Sequence, residues 1–290
     1  MTPLFARLTI AGVGLVGGSL GAAVRAAGLA GEVVGFGRTE ANLRRACERG
    51  LVDRVTCDAA AAAAGADAIV LAVPVGASAA LAAALGPHAN TGTLLTDVGS
   101  VKGEVVATLE ARWAGIGAVV GAHPIAGSEA SGAGAARADL FRGRRCILTP
   151  TPVTDRAALG RVRALWEGVG ARVEEMPPSL HDELLARVSH LPHLLAYALA
   201  TAVGEQTIGG RRALDYAGGG FRDTTRIAAS PAELWRDIAL ANAPALAAAL
   251  GEFRAALARL EGLLAARDAA GLEAALARAR ALRRRLGGEE

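Results

Sequence analysis

The chain has 290 residues, 52% hydrophobic and 3% aromatic, with a formal net charge of +3. That length suits two domains with apolar material for both cores, and no apolar run reaches membrane-spanning length without a Gly, Pro or charge, which argues against a membrane span. The slight charge and scarce aromatics argue against a nucleic-acid binder, and the scattered Cys47, Cys57 and Cys146, with no C-x-x-C pair, argue against a disulfide framework or a metal site.

The first element is a short β-branched run leading into LTIAGVGLVGGSLG at Leu8–Gly21, which sets Gly12, Gly14 and Gly17 in the G-x-G-x-x-G spacing. Gly12 supplies a tight strand-to-helix turn, Gly14 lets backbone approach a pyrophosphate, and Gly17 lets the helix sit close on the strand. The helix opens at Leu15 and Val16, whose N–H groups face the anion, so a dinucleotide is the expected ligand. Because MTPLFARLTI runs straight into this motif without a basic segment and cleavage site, a cytoplasmic location is expected. Strands are then expected at Glu32–Phe36, Asp67–Val73, Gly92–Asp97, Ala118–Ala122, Arg145–Leu148 and Ala171–Met176, with a helix from Glu40 to Arg49 and alanine-rich helical sequence between strands. The alternation predicts an α/β domain, a doubly wound Rossmann-type parallel sheet with its ligand at the carboxyl ends of the strands, over residues 1–178.

The second strand ends in Gly35, Phe36, Gly37, Arg38 and Thr39, without the acidic residue that binds the ribose of NAD. A cation there with no carboxylate beside it suits the extra phosphate of NADP, so NADP is favoured over NAD, with Glu40 an alternative ribose partner. From Ser179 strand signals stop and periodic Leu/Ala segments run on, predicting an all-α second domain over 179–290, a seat for substrate and for homodimerisation through its helices. Ser230-Pro231 reads as a cap and first helical residue. Arg278, Arg280, Arg283, Arg284 and Arg285 alternate with Ala and Leu at helical spacing and read as a solvated face.

Polar residues concentrate in TDVGSVK (Thr96–Lys102), AHPIAGSE (Ala122–Glu129), SHLPH (Ser189–His193) and GGGFRDTTR (Gly218–Arg226). His123 follows an apolar strand and should emerge at the sheet's carboxyl edge, where a substrate beside the nicotinamide would lie. His190 and His193 stand three apart on one helix face, but no carboxylate or cysteine pattern completes a metal-ligand set.

With GVGLVGGSLG and the longer stretch GGGFRDTTRIAASPAELWRDI, these segments make the chain resemble the prephenate/arogenate (cyclohexadienyl) dehydrogenase family of tyrosine biosynthesis over nearly its whole length. The resemblance implies NAD(P)-dependent oxidative decarboxylation, prephenate giving 4-hydroxyphenylpyruvate or arogenate giving tyrosine. It implies that His123, in the family's HP-x-AG-[ST]-E motif, accepts a hydrogen bond from the ring hydroxyl. Ser100 binds the same hydroxyl and touches the nicotinamide, its other reading being an N-cap for the following helix. Arg226 holds a substrate carboxylate, its other reading being an ion pair with Asp223 or Asp237. The resemblance further points His193, aimed by a kink at Pro192, toward the substrate side chain, puts Glu129 in an ionic network at the pocket mouth, and brings Trp235 in from the partner subunit. Val73 and Pro74 lie against the adenosine. With no sequence after Glu290 for a regulatory domain and none before Met1 for a chorismate mutase, tyrosine feedback is expected at the active site itself. Two other readings compete. A Rossmann-fold dehydrogenase of a 3-hydroxy acid or imine usually carries a lysine early in its second domain, whereas this chain has none from Ser179 to Glu290, and an NADP-sensing protein has no need of the polar segments together.

Overall fold

The computed structural model describes residues 2–127 and 132–286. β1 (Phe5–Ala11) turns at Gly12 into α1 (Leu15–Ala26), followed by β2 (Ala30–Phe36), α2 (Glu40–Glu48), β3 (Arg54–Thr56) and α3 (Ala59–Ala63). β4 (Ala68–Leu71), α4 (Val75–Leu85), β5 (Leu94–Asp97), α5 (Gly103–Trp113) and β6 (Val119–Pro124) complete a parallel set in the order β3-β2-β1-β4-β5-β6. Helices on both faces explain the unbroken apolar runs: every residue of β4 is buried, Ala68 and Val70 joining one core cluster and Ile69 and Leu71 the other. Trp166 and Phe141 meet edge-on in the first cluster, and Trp113 anchors the second.

The expected parallel sheet is present, with one departure at its far edge. β7 (Arg145–Thr149) runs antiparallel to β6, and β8 (Arg172–Glu175), reached through α6 (Arg156–Gly168), is parallel to β7, so the last two strands are reversed. Among the described residues no α-helix lies between β6 and β7, whereas a parallel return needs a crossover connection. β6 also runs two residues beyond Ala122, so His123 lies within the strand, opposite Ile147.

After β8 come α7 (Pro178–Leu185), a π-helical turn at Ala186–His190, α8 (Leu191–Gly204) and a two-residue hairpin of β9 (Thr207–Ile208) and β10 (Arg211–Arg212). α9 (Gly219–Thr225), α10 (Ala232–Ala241), α11 (Ala243–Ala265) and α12 (Ala269–Arg285) follow. α10 starts one residue later than expected, with Pro231 at its cap, and the Ser230 carbonyl instead accepts from the Tyr197 hydroxyl at 2.8 Å. The π turn has a local cause: Pro192 has no N–H for the carbonyl of residue 188, and the Leu191 N–H bonds Ala186 O, five residues back.

The chain forms two compact units, Met1–Ala243 and Pro244–Glu290. The helices α7–α10 belong to the first with the sheet, and Trp235 and Ile238 of α10 join the core cluster of Trp113. In the second, Asp268 caps α12 by accepting from Gly271 N at 2.9 Å. Among the described residues no helix is long and apolar enough to cross a membrane.

Candidate active site

Strand order reverses between β1 and β4, and the crevice at their carboxyl ends opens into a cavity of about 550 Å³ whose walls include Gly12, Gly14, Arg38, Thr39, Val73 and Pro74. Gly12 has a φ of 101°, which L side chains rarely adopt, and a Cβ there would meet Ala72 O at 2.3 Å. Gly17 makes the close approach, since a Cβ on it would lie 2.0 Å from Gly12 O. A Cβ at Gly14 would meet open space, and α1 begins there with no side-chain cap and no acidic residue in its first turn. These uncapped N–H groups beside an open glycine fit a dinucleotide's pyrophosphate. Leu15 and Val16 do not line the cavity, and their partly buried side chains pack on the core. Across the cavity, Gly37, Arg38 and Thr39 follow β2, with Asn42 beside them.

Ser100 does not line that cavity and does not cap α5. The cap comes from α7: Asp182 accepts from Lys102 N at 2.8 Å through Oδ1 and from Gly103 N at 2.7 Å through Oδ2. Asp182 Oδ1 also lies 2.8 Å from Nδ1 of the buried His181, whose Nε2 is 2.8 Å from Nδ1 of His123. Beneath them Lys102, fully buried, pairs with the Asp97 carboxylate and donates to Ala122 O at 2.8 Å, fixing the strand at the residue before His123.

Burial, then the neighbouring His181, Lys102 and His190, hold the His123 pKa well below the usual imidazole value. Burial also lowers His181 against the pull of Asp182, and lowers Lys102 against Asp97. Burial raises Asp182, but its hydrogen bonds from His181, Gly103 and Lys102 outweigh that and leave it below the usual carboxylate range. His190, 1% exposed, is pushed down to about 4, by burial first. Its Nδ1 lies 3.1 Å from Asn242 Nδ2, which also donates to Asp182 O at 2.8 Å.

His193 stacks on Trp235 with ring centres 3.5 Å apart, and its Nδ1 donates to Ser189 O at 3.0 Å. Trp235 thus meets His193 within one chain; it is one of the core side chains of α10, and it also makes a T-shaped contact with His190. Arg226 is exposed and opens a 3-10 turn, Arg226–Ala229, packed on α8, the helix of His193. Asp237 pairs with Arg236 at 2.7 Å. Glu129 lies outside the described residues. Among the described residues no group of three or more His, Cys, Asp or Glu is placed to hold a metal. Sequence reasoning missed His181, Asp182 and Asn242; the available signal was the adjacent His and Asp just after the Pro177-Pro178 break.

Comparison with known proteins points to one family over nearly the whole chain. The family model described as prephenate dehydrogenase, nucleotide-binding domain, matches residues 20–175, and that described as prephenate dehydrogenase, dimerization domain, matches 177–278. A cyclohexadienyl dehydrogenase of Zymomonas mobilis is 38% identical over 91% of this chain and 90% of its own length. A crystal structure of prephenate dehydrogenase from A. aeolicus, in complex with hydroxyphenyl propionate and NAD+, superposes with a TM-score of 0.92 at 34% identity, covering 97% of this chain and 98% of that one. The arogenate dehydrogenase of Synechocystis superposes with a TM-score of 0.83 at 30% identity, covering 97% and 99%.

Proposed function

The chain belongs to the prephenate dehydrogenase family, and from that membership we infer an NAD(P)-dependent oxidative decarboxylation in tyrosine biosynthesis, of prephenate to 4-hydroxyphenylpyruvate, of arogenate to tyrosine, or of both. The observation that carries the reading at this site is His123, an imidazole held uncharged at the carboxyl edge of the sheet, on the strand next to β5. A bound nicotinamide dinucleotide supplies the hydride acceptor for the carbinol carbon. His123 accepts the proton of the ring hydroxyl as the carbonyl forms, a task suited to a neutral imidazole. Ser100 hydrogen-bonds the same hydroxyl and reaches the nicotinamide, and Arg226 holds a substrate carboxylate through its planar fork. His193, held by Trp235, faces the substrate side chain, and Glu129 joins the ionic groups at the pocket mouth. Loss of the ring carboxylate as carbon dioxide restores aromaticity, so the residues need to supply little beyond proton acceptance and alignment.

Arg38 and Thr39, with Gly37 where a carboxylate would repel phosphate, support a preference for NADP over NAD. Functionally the chain divides into a dinucleotide-binding part, 1–178, and a helical substrate and dimerisation part, 179–290, which the extents of the two family models support. The free thiols of Cys47, Cys57 and Cys146 support a cytoplasmic setting. The test is absorbance at the reduced-nicotinamide band with prephenate and arogenate offered separately, each with NAD and with NADP, beside a His123→Asn control. Turnover with a preference for NADP, reduced by about 10²- to 10⁴-fold in the control, is expected; no reduction with any of the four pairs would overturn the reading.

A further inference from the structure

The two oxygens of Asp182 accept hydrogen bonds from the main-chain N–H groups of Lys102 and Gly103, at 2.8 and 2.7 Å. A main-chain N–H can only donate, so both oxygens are acceptors, and these hydrogen bonds hold the carboxyl below its usual range and therefore ionised near neutral pH. His181 Nδ1, 2.8 Å from Oδ1, must then carry a hydrogen. Burial keeps His181 uncharged near neutral pH, which leaves its Nε2 a bare lone pair. His123 Nδ1 stands 2.8 Å from that lone pair and holds the contact only as a donor. A neutral imidazole has one N–H, and in His123 it is used at Nδ1.

We propose that His181, oriented by Asp182, is a positioning residue that selects the Nδ1–H tautomer of His123 and leaves Nε2 as the bare nitrogen that receives the substrate's hydroxyl proton. This rests on the reading of His123 as proton acceptor and deepens it, because the opposite tautomer presents an N–H at Nε2 and cannot accept there. The proton order begins at the start of α5: the carboxylate that caps that helix also dictates the hydrogen on His181, and through it the hydrogen on His123. Lys102 holds both ends of the arrangement, its main-chain N–H on Asp182 and its ammonium on the carbonyl of Ala122, next to His123.

The order has its own response to acid. The ionisable groups around His123 are His181 and Asp182 from α7, His190 from the π turn, Asp97 and Lys102 from β5 and the segment after it, and Cys146 from β7. A second proton on His181 turns its Nε2 into a donor, forces His123 Nδ1 to accept, and moves the hydrogen of His123 onto Nε2. Turnover is therefore lost when either imidazole gains a proton.

Nitrogen-15 NMR of the full chain labelled at histidine tests the order directly. The chain has five histidines, and His123 is assigned by the signal that disappears in His123→Asn. The expected spectrum has His123 protonated at Nδ1 and bare at Nε2 near neutral pH. In His181→Leu, kcat falls about 100-fold with KM nearly unchanged and the His123 signal becomes a mixture of tautomers. His181→Gln, whose side chain retains both an acceptor and a donor, recovers a large part of that loss. A wild-type His123 protonated at Nε2 would overturn the proposal even if the Leu variant fails to fold; so would a folded Leu variant with unchanged tautomer and kcat. The tautomer is read without turnover, so an Nδ1–H spectrum in a chain inactive toward both substrates would overturn the functional reading and leave the proton order standing.

Discussion

Lys102 is the single lysine among the 31 Lys and Arg residues of the chain. Every other cation is an arginine, yet at this fully buried position the compact ammonium fits between the Asp97 carboxylate and the Ala122 carbonyl, where a planar five-donor fork needs more room and more acceptors. Lys102→Met leaves Asp97, 1% exposed, without its counter-ion, and the expected cost is about 3–5 kcal/mol in denaturant unfolding. Lys102→Arg keeps the charge but overfills the site, at about 1–3 kcal/mol. A Met variant as stable as the wild type would show that the pair does not hold the strand end. His123 and His181 set the pH dependence together. Both are displaced downward, and the site accepts a proton only while both are neutral, so kcat/KM stays level as pH falls past the ordinary imidazole value of 6.5 and declines only below it. An acid limb centred at or above that value in the free enzyme would contradict the burial argument.

Three helical elements meet through one amide. Asn242, just past the end of α10, donates both to the Asp182 carbonyl in α7 and to Nδ1 of His190 at the end of the π turn. Asn242→Leu conserves size but leaves the buried His190 Nδ1 without a donor and Asp182 O with only the Ala186 N–H, and an unfolding measurement is expected to register a loss of about 1–3 kcal/mol; a loss below about 0.5 kcal/mol would mean that water replaces the amide. The reach of this link explains what could be read from the chain beforehand. The glycine turn was legible because its spacing answers to geometry within a few residues, and the parallel strands were legible because burial on both faces leaves unbroken apolar runs. The reversal of β7 was not, since a strand's composition does not state its direction, and β3, three residues with one exposed, gave too short a signal. His123 was visible beside Pro124, but its partner His181 lies 58 residues away and the carboxylate that caps α5 lies 80 residues from Lys102. Ser100 had the right residue type for a cap and lost the place to Asp182, a competition that only tertiary packing decides.

At the scale of the whole molecule the unit Pro244–Glu290 poses the question of what covers it. It consists of most of α11, a turn and α12, and leaves Leu257, Leu264, Leu276, Leu282 and Leu286 exposed. A helical hairpin this short cannot bury enough apolar surface to be stable by itself. The family model spanning most of this region is described as a dimerization domain, and a second copy of the chain offers the same leucines across a two-fold axis, a self-complementary surface. Size-exclusion chromatography with light scattering is expected to give the mass of a homodimer at micromolar concentration. In the double variant Leu264→Glu, Leu276→Glu each subunit would bring two carboxylates to that apolar seam. Burying them unpaired costs several kcal/mol apiece, so the dimer should dissociate into monomers. The cavity of Gly12, Arg38 and Pro74 is built wholly from the first unit, so dinucleotide affinity should survive that dissociation. A wild-type chain that elutes as a monomer at every concentration, or a double variant that remains dimeric, would place the contact between subunits on another surface.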